Sequence, residues 1–160
     1  MRDSGSLDAI QKSIIVRCDL EQAFRVWTEQ IDVWWPKGHS RSGDPRTTVL
    51  LERRLGGRLY EQTPMGVEHT WGHVIAWNSP RHFVMHWYLG SSPDQPTRVE
   101  VHFSALANGD TRVDLLHQGP ELIGELWGRT KAVFITAWAH VLTAYGAACT
   151  ADVFEKESMP

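Results

Sequence analysis

The apolar positions near the start of the chain change from a strand-like to a helix-like pattern. Residues 9–18 (AIQKSIIVRC) are rich in β-branched residues and predict a first strand. Asp19 follows in the position of a helix N-cap. The apolar residues after it recur at helical spacing: Leu20, Ala23, Phe24 and Trp27. Residues 31–36 (IDVWWP) then predict a second short helix, which ends at Pro36.

From residue 46 onward the period changes to two. Six successive segments have the alternation of strands: 46–55, 57–63, 66–77, 81–89, 97–106 and 111–118. Turn sequences such as PMG, NSP and NGD separate them, and such short connections imply an antiparallel meander. The period then returns to 3.6, which predicts a long helix over 122–149. Its apolar stripe comprises Ile123, Trp127, Phe134, Trp138, Val141 and Tyr145.

This order of elements predicts an α+β fold in one domain. A curved antiparallel sheet of about seven strands would wrap around the long C-terminal helix, with two short helices after the first strand. We assign residues 9–150 to this domain, residues 1–8 to a flexible N-terminus and residues 151–160 to a C-terminal tail. A strongly curved sheet that grips one helix tends to leave a cavity between them.

The last hairpin predicts which residues face that cavity. If Asn108–Gly109–Asp110 forms a three-residue loop, Phe103 pairs with Leu115 and Val101 pairs with His117. One face of both strands is then apolar except for His117. We therefore expect this histidine to point inward.

A three-residue turn at 79–81 makes a similar prediction for the preceding hairpin. It pairs Trp77 with Phe83 and His73 with Trp87, so that His73 points inward. A different turn length would set His73 opposite His86, and a bulge at Gly72 would also alter the pairing.

The histidines of residues 69–87 raise the question of a metal site. His69 and His73 have the spacing of a helical zinc pair, but on a strand four residues span roughly 13 Å, too far to share one ion. A cross-strand pair of His73 and His86 would still need a third ligand. We expect neither a metal nor a cofactor.

Composition narrows the range of partners and compartments. The net charge of −3 and the scattered arginines indicate no nucleic acid and no anionic membrane as a partner. Cys18 and Cys149 form no CxxC pair, which favours a reducing compartment. The N-terminus has no apolar h-region and no apolar run reaches about 18 residues, so we expect a cytoplasmic protein. Eight tryptophans suggest an aromatic core or an aromatic cavity wall.

Several segments, in their order and spacing, resemble the activator of Hsp90 ATPase homologue 1-like branch of the SRPBCC superfamily. They are DLEQAFRVWTEQIDVWWP, LGGRLYE, HTWGHVIAWNSPRHFVMHW, TRVDLLHQG and AWAHVL, and the resemblance covers roughly residues 9–149. It implies the helix-grip (Bet v 1/START-like) fold with a hydrophobic cavity between sheet and long helix. Members of the wider superfamily bind lipids, sterols, polyketides or aromatic compounds, and some are cyclases, aromatases or hydrolases. The family's frequent Gly–Trp in the last helix is Ala137–Trp138 here.

The leading hypothesis is a small binding protein that holds a hydrophobic or aromatic molecule in this cavity. Its expected lining is Trp34, Trp35, Leu59, Trp71, Met85, Trp87, His117, Phe134 and Trp138. Trp34 and Trp35 would sit near the mouth, and His117 would supply the polar contact. One alternative is a cyclase/aromatase- or hydrolase-type enzyme that uses His117 as acid/base. Another is an Hsp90-related, co-chaperone-like interaction protein, and a homodimer is also considered.

Overall fold

The computed structural model describes residues 9–92, 94–119 and 124–158, and their side chains within 9–89, 94, 96–119 and 131–151. These residues form a seven-stranded antiparallel sheet with its helices. The strand order is β1-β7-β6-β5-β4-β3-β2, so the first strand lies beside the last. The elements are β1 (Ile10–Val16), α1 (Leu20–Glu29), α2 (Ile31–Trp34), β2 (Thr48–Leu51), β3 (Arg58–Gln62), β4 (Glu68–Asn78), β5 (His82–Ser92), β6 (Gln95–Ala105), β7 (Thr111–Gln118) and α3 (Gly124–Ser158). The predicted fold class and element order are confirmed.

Helix α1 begins where the sequence predicts. The Asp19 carboxylate accepts a hydrogen bond from the Gln22 amide at 2.8 Å, as an N-cap does. Phe24 and Trp27 are buried on the inner face of the helix. The Tyr145 hydroxyl of α3 donates to the carbonyl of Ala23 at 2.7 Å, which fixes α1 against the long helix.

The long helix covers the inner face of the sheet through Trp138, Val141 and Tyr145, all of them buried. It continues to Ser158, so its predicted end at residue 149 is too early. Residues 1–8 and Ile123 lie outside the described part of the chain, and so does the side chain of Trp127.

Among the described residues, one helix segment is long and apolar enough to cross a bilayer, judged by length and composition. This segment, Lys131–Ala151, is the core helix of the fold, and 28% of it is buried. Its inward side chains pack on α1, α2 and β1, as expected of the central helix of a domain.

The last hairpin has the predicted loop length but a different loop position. Its loop comprises residues 107–109, because Gly109 adopts φ of 92° at the last loop position, where glycine is favoured. His117 therefore pairs with Val99, and the predicted pairing with Val101 is wrong. A shift of two residues keeps the same face inward, so His117 is buried as expected.

A β-bulge in β4 changes the other predicted register. Trp77 pairs with Phe83 as expected, but Ile75 is an extra residue with no partner in β5. His73 consequently pairs with His86 instead of Trp87. The prediction that His73 points into the core is wrong for this reason.

A second irregularity in β4 lies beside Gly72. Leu59 pairs with Gly72 and Tyr60 pairs with Thr70, so Trp71 is the extra residue relative to β3. A Cβ atom at position 72 would lie 2.2 Å from the carbonyl oxygen of His86. The strands approach so closely here that only glycine fits.

The histidines of this region do not gather around a metal position. His73 shares a hydrogen bond with the Tyr88 hydroxyl at 3.1 Å, and His82 stacks on His102 with ring centroids 5.0 Å apart. Over the described residues, no group of three potential ligands is close enough to hold a metal ion.

Candidate functional site

The centre of the domain is packed, with little room for a ligand. Between Leu59, Met85 and the rings of Trp35, Trp87 and Trp138 lies a void of about 10 Å³. A void of this size has room for about one water molecule. At this point of the described core, the aromatic side chains leave little open space.

An open cleft of about 380 Å³ lies at one end of the sheet, between β5, α3 and the loop after α2. We call it the aromatic cleft. It is lined by Trp35, Gly38, His39, Ser40, Trp87, Leu89, Val133, Phe134, Ala137, Trp138 and Val141. The rings of Trp87 and Trp138 are 5.3 Å apart at its floor, and Trp35 meets Trp138 edge to face at 6.2 Å.

The structure brings only part of the expected lining to this cleft. Four of the nine predicted residues line it: Trp35, Trp87, Phe134 and Trp138. The other five are packed in the interior: Trp34, Leu59, Trp71, Met85 and His117. Trp34, for example, donates its indole N–H to the carbonyl of Val26 at 2.8 Å and is not at the mouth.

His117 lies beneath the cleft in a chain of buried hydrogen bonds. The Trp138 indole N–H donates to Nδ1 of His117 at 2.9 Å. Since Nδ1 accepts, the ring proton of the neutral imidazole is on Nε2, which lies 2.7 Å from the Thr97 hydroxyl. That hydroxyl in turn donates to the carbonyl of Trp87 at 3.1 Å. The chain connects β5, β6, β7 and α3.

This environment does not suit His117 for either of its predicted roles. Burial lowers its pKa to about 3, so the imidazole stays neutral near pH 7. Both ring nitrogens are occupied by protein groups, Trp138 and Thr97. His117 therefore positions two cleft walls, Trp138 and the backbone at Trp87, and is not placed to contact a ligand or to act as acid/base.

Glu61 is a buried residue beside the cleft that the sequence pattern did not single out. Its side chain is fully buried, and its carboxylate accepts hydrogen bonds from Nε1 of Trp71 at 2.6 Å and from the amides of Arg41 and Ser42 at 2.6 and 3.1 Å. Burial alone would raise the pKa of Glu61, but these hydrogen bonds outweigh it and lower the pKa below its usual value. The sequence feature that indicates its burial is its position two residues after Leu59, because alternate residues of β3 point to the same inner face of the sheet.

Glu61 and Trp35 together fix the loop at the rim of the cleft, residues 38–42, which we call the rim loop. The Trp35 indole N–H donates to the carbonyl of His39 at 2.7 Å. The imidazole of His39 then faces His140 of α3 edge to face, with ring centroids 5.9 Å apart. The mouth of the cleft thus has one histidine on each side.

A model of one protein family, described as activator of Hsp90 ATPase homolog 1-like protein, matches residues 17–145. The chain belongs to this family. A search of curated proteins finds no significant match. The resemblance inferred from the sequence is confirmed.

Solved structures confirm the helix-grip fold. Protein NE0264 from Nitrosomonas europaea is similar with a TM-score of 0.65 and 13% identity, covering 90% of this chain and 95% of its own. Protein SA2116 from Staphylococcus aureus has a TM-score of 0.66 and 12% identity, with 91% and 94% covered. The anthrahydroquino-γ-pyrone synthase Txn09, solved as a complex, has a TM-score of 0.57 and 25% identity, with 88% and 96% covered. Family and fold together suggest a ligand-binding or cyclase-type function.

Proposed function

We propose that this protein is a cytosolic binding protein for a planar aromatic molecule, which it holds in the aromatic cleft. The observation that carries the proposal is an open apolar cleft beside a closely packed part of the described core. Its floor residues Trp35, Trp87 and Trp138 are each 5% exposed or less, so the walls are fixed before a ligand arrives. Cys18 and Cys149 are buried thiols that form no disulfide, which supports a reducing compartment.

The volume of the cleft sets the size of the ligand. An apolar cavity of roughly 150 Å³ holds one benzene molecule. The 380 Å³ of the cleft therefore correspond to a ligand of two or three fused rings. Flat rings also suit a wall of indoles, because offset and edge-to-face contacts between aromatic rings are favourable.

A matched pair of substitutions on α3 tests this proposal. Ala137→Phe would fill the cleft, whereas Ala139→Phe adds the same bulk on the exposed side of the helix. Tryptophan fluorescence titrated with 2-methoxynaphthalene, a neutral two-ring probe, should show saturable quenching. We expect Ala137→Phe to weaken binding at least tenfold and Ala139→Phe to leave it unchanged. Equal affinities in the two variants, or no saturable binding to the wild type, would overturn the proposal.

A second candidate is a cyclase-type activity in the same cleft, favoured by the likeness to the synthase Txn09 at 25% identity. An ortho-hydroxyaryl 1,3-diketone is a suitable probe, because its phenol oxygen can add to a carbonyl and close a γ-pyrone ring with loss of water. Chromatography would follow the product over time. Closure that the wild type accelerates and Ala137→Phe does not would support this activity, and equal rates with and without protein would exclude it for this probe.

The co-chaperone-like role and the homodimer stay predictions. Binding of purified Hsp90 to the immobilised protein would test the first, and sedimentation equilibrium would test the second. Neither outcome depends on the aromatic cleft, so Ala137→Phe should behave as the wild type in both measurements.

A further inference from the structure

Resting on the proposed binding function, we infer that the aromatic cleft selects aromatic molecules that carry an anionic oxygen, a carboxylate or a phenolate. The pair His39 and His140 at the mouth of the cleft binds that oxygen. The inference comes from the polar groups of the cleft, the geometry of the two imidazoles and the charges around them.

Most of the polar atoms described in the cleft wall are engaged within the protein. The indole N–H of Trp35 donates to the His39 carbonyl, and that of Trp138 donates to His117. The Ser40 hydroxyl accepts from the amide of Gly43 at 2.9 Å. A ligand cannot use the two indole N–H groups without breaking bonds that hold the wall.

The imidazoles of His39 and His140 differ from these groups. Across the described residues, the contact found for each ring is the other ring, and neither ring forms a hydrogen bond to the protein. His39 is half-buried and His140 is exposed, so both are reachable from the mouth of the cleft. Their N–H groups are therefore available to a ligand that enters between them.

The distance between the rings suits a single bridging oxygen. A ring nitrogen lies about 1.2 Å from the ring centre and a hydrogen bond spans about 2.8 Å, so two imidazoles that share one oxygen have centroids at most about 8 Å apart. The observed separation of 5.9 Å is within this limit. His39 of the rim loop belongs to the cleft lining and His140 of α3 lies next to it, so the oxygen of a ligand seated on the indole floor can reach both rings.

The charges around the mouth favour an anion. None of the lining residues that the structure describes is acidic, and His39 is the one among them that can become a cation. The carboxylate of Glu61, behind the rim loop, is already bound by three N–H donors. Asp32, before the loop, lies 3.8 Å from the ammonium group of Lys37. An anionic oxygen at the mouth therefore meets two imidazoles and no free carboxylate in the described wall.

Calorimetric titration with two probes of the same ring system tests the inference. 2-Naphthoate carries the anionic oxygen and 2-methoxynaphthalene does not. We expect the wild type to bind 2-naphthoate about tenfold more tightly than 2-methoxynaphthalene, because the imidazole N–H groups donate to its carboxylate. The double variant His39→Leu/His140→Leu should lose this preference, so that the ratio of its affinities for the two probes approaches one. His86→Leu, which alters an exposed histidine on β5, is the matched control and should keep the preference.

The outcomes separate this inference from the function on which it rests. Equal affinities for the two probes in the wild type, or a preference that survives in the double variant, would overturn the inference and leave aromatic binding intact. If neither probe binds to the wild type, the proposed function fails and the inference fails with it. A cooperative urea-denaturation transition close to that of the wild type shows that the double variant is folded.

Discussion

The interior and the aromatic cleft are built from the same kinds of residue on the same elements, yet the first is closely packed and the second borders open space. In the interior, Trp71 bonds to Glu61 and Trp34 bonds to a backbone carbonyl, and the largest described void there is about 10 Å³. At the cleft, Phe134 and Val133 border about 380 Å³ of open space. An indole in this fold is enclosed or borders open space according to whether a neighbouring side chain fills the space in front of it.

The largest expected effect comes from the same truncation made in both regions. Phe103 is 2% exposed and contacts Phe24 at a ring distance of 5.1 Å, so Phe103→Ala should cost about 4 kcal/mol of unfolding free energy. Phe134 is half-buried at the cleft, and Phe134→Ala should cost about 1.5 kcal/mol. Urea denaturation measures both. Equal losses would mean that the cleft is closed in solution.

The next effect concerns the carboxylate that anchors the rim loop. Glu61→Ala leaves the buried indole N–H of Trp71 and two part-buried backbone amides without their acceptor and should cost about 2 kcal/mol. Glu68→Ala removes an exposed carboxylate that pairs with Arg58 at 3.1 Å and should cost less than about 0.5 kcal/mol. The pair is compared by urea denaturation at neutral pH. A loss at Glu61 no larger than that at Glu68 would contradict the anchoring role.

The burial of the His117 imidazole predicts that the unfolding free energy depends on pH. Burial holds the pKa of His117 at about 3, so below a pH of about 6.5 the unfolded chain binds a proton that the folded chain does not. Above a pH of about 6.5 the burial of this imidazole does not affect stability. Below it, the unfolding free energy falls as the pH decreases, by up to about 1.4 kcal/mol per pH unit. The stability advantage of the wild type over His117→Gln should therefore shrink by about 1 kcal/mol per unit between roughly pH 6 and 4.

Urea denaturation at several pH values provides this measurement. His86→Gln, an exposed histidine, should show the same pH dependence as the wild type. A constant difference between the wild type and His117→Gln would mean that His117 is protonated in the folded protein.

The smallest expected effect separates binding from stability at the rim of the cleft. Val133 lines the cleft and is 69% exposed, so Val133→Ser should change the unfolding free energy by less than about 0.5 kcal/mol. The affinity for 2-methoxynaphthalene should fall about threefold, because part of the apolar wall is lost. An unchanged affinity would place the ligand deeper than the rim.

Much of the fold was predictable because it follows from local patterns. The N-cap at Asp19 and the inward face of β7 both depend on neighbouring residues, and an error of two positions in the hairpin register still left His117 inside. The bulge at Ile75 depends on distant contacts. The amide and carbonyl of Val74 bond to the turn at Gly56 and Gly57, which the pattern of β4 does not reveal.

The site was less predictable than the fold. Trp34 and Trp35 are neighbours of the same type, yet one is packed under α1 and the other lines the cleft. His39 was not selected, since a histidine in a polar loop carries no signal of its own until α3 brings His140 opposite it. The hydrogen bonds that occupy His117 come from Trp138 and Thr97, which are 21 and 20 residues away in the chain.

The extra residue in β4 has a consequence for the gene. Val74 pairs with Met85 and Ala76 pairs with Val84, so these two residues pair with adjacent positions of β5 while Ile75 pairs with neither. An in-frame loss of codon 75 would leave every one of these pairings in register. Loss of the codon for Trp77 would instead shift the end of the strand by one residue and move its side chains to the opposite face of the sheet. Relatives that align here with a gap of a single residue can therefore share the same sheet.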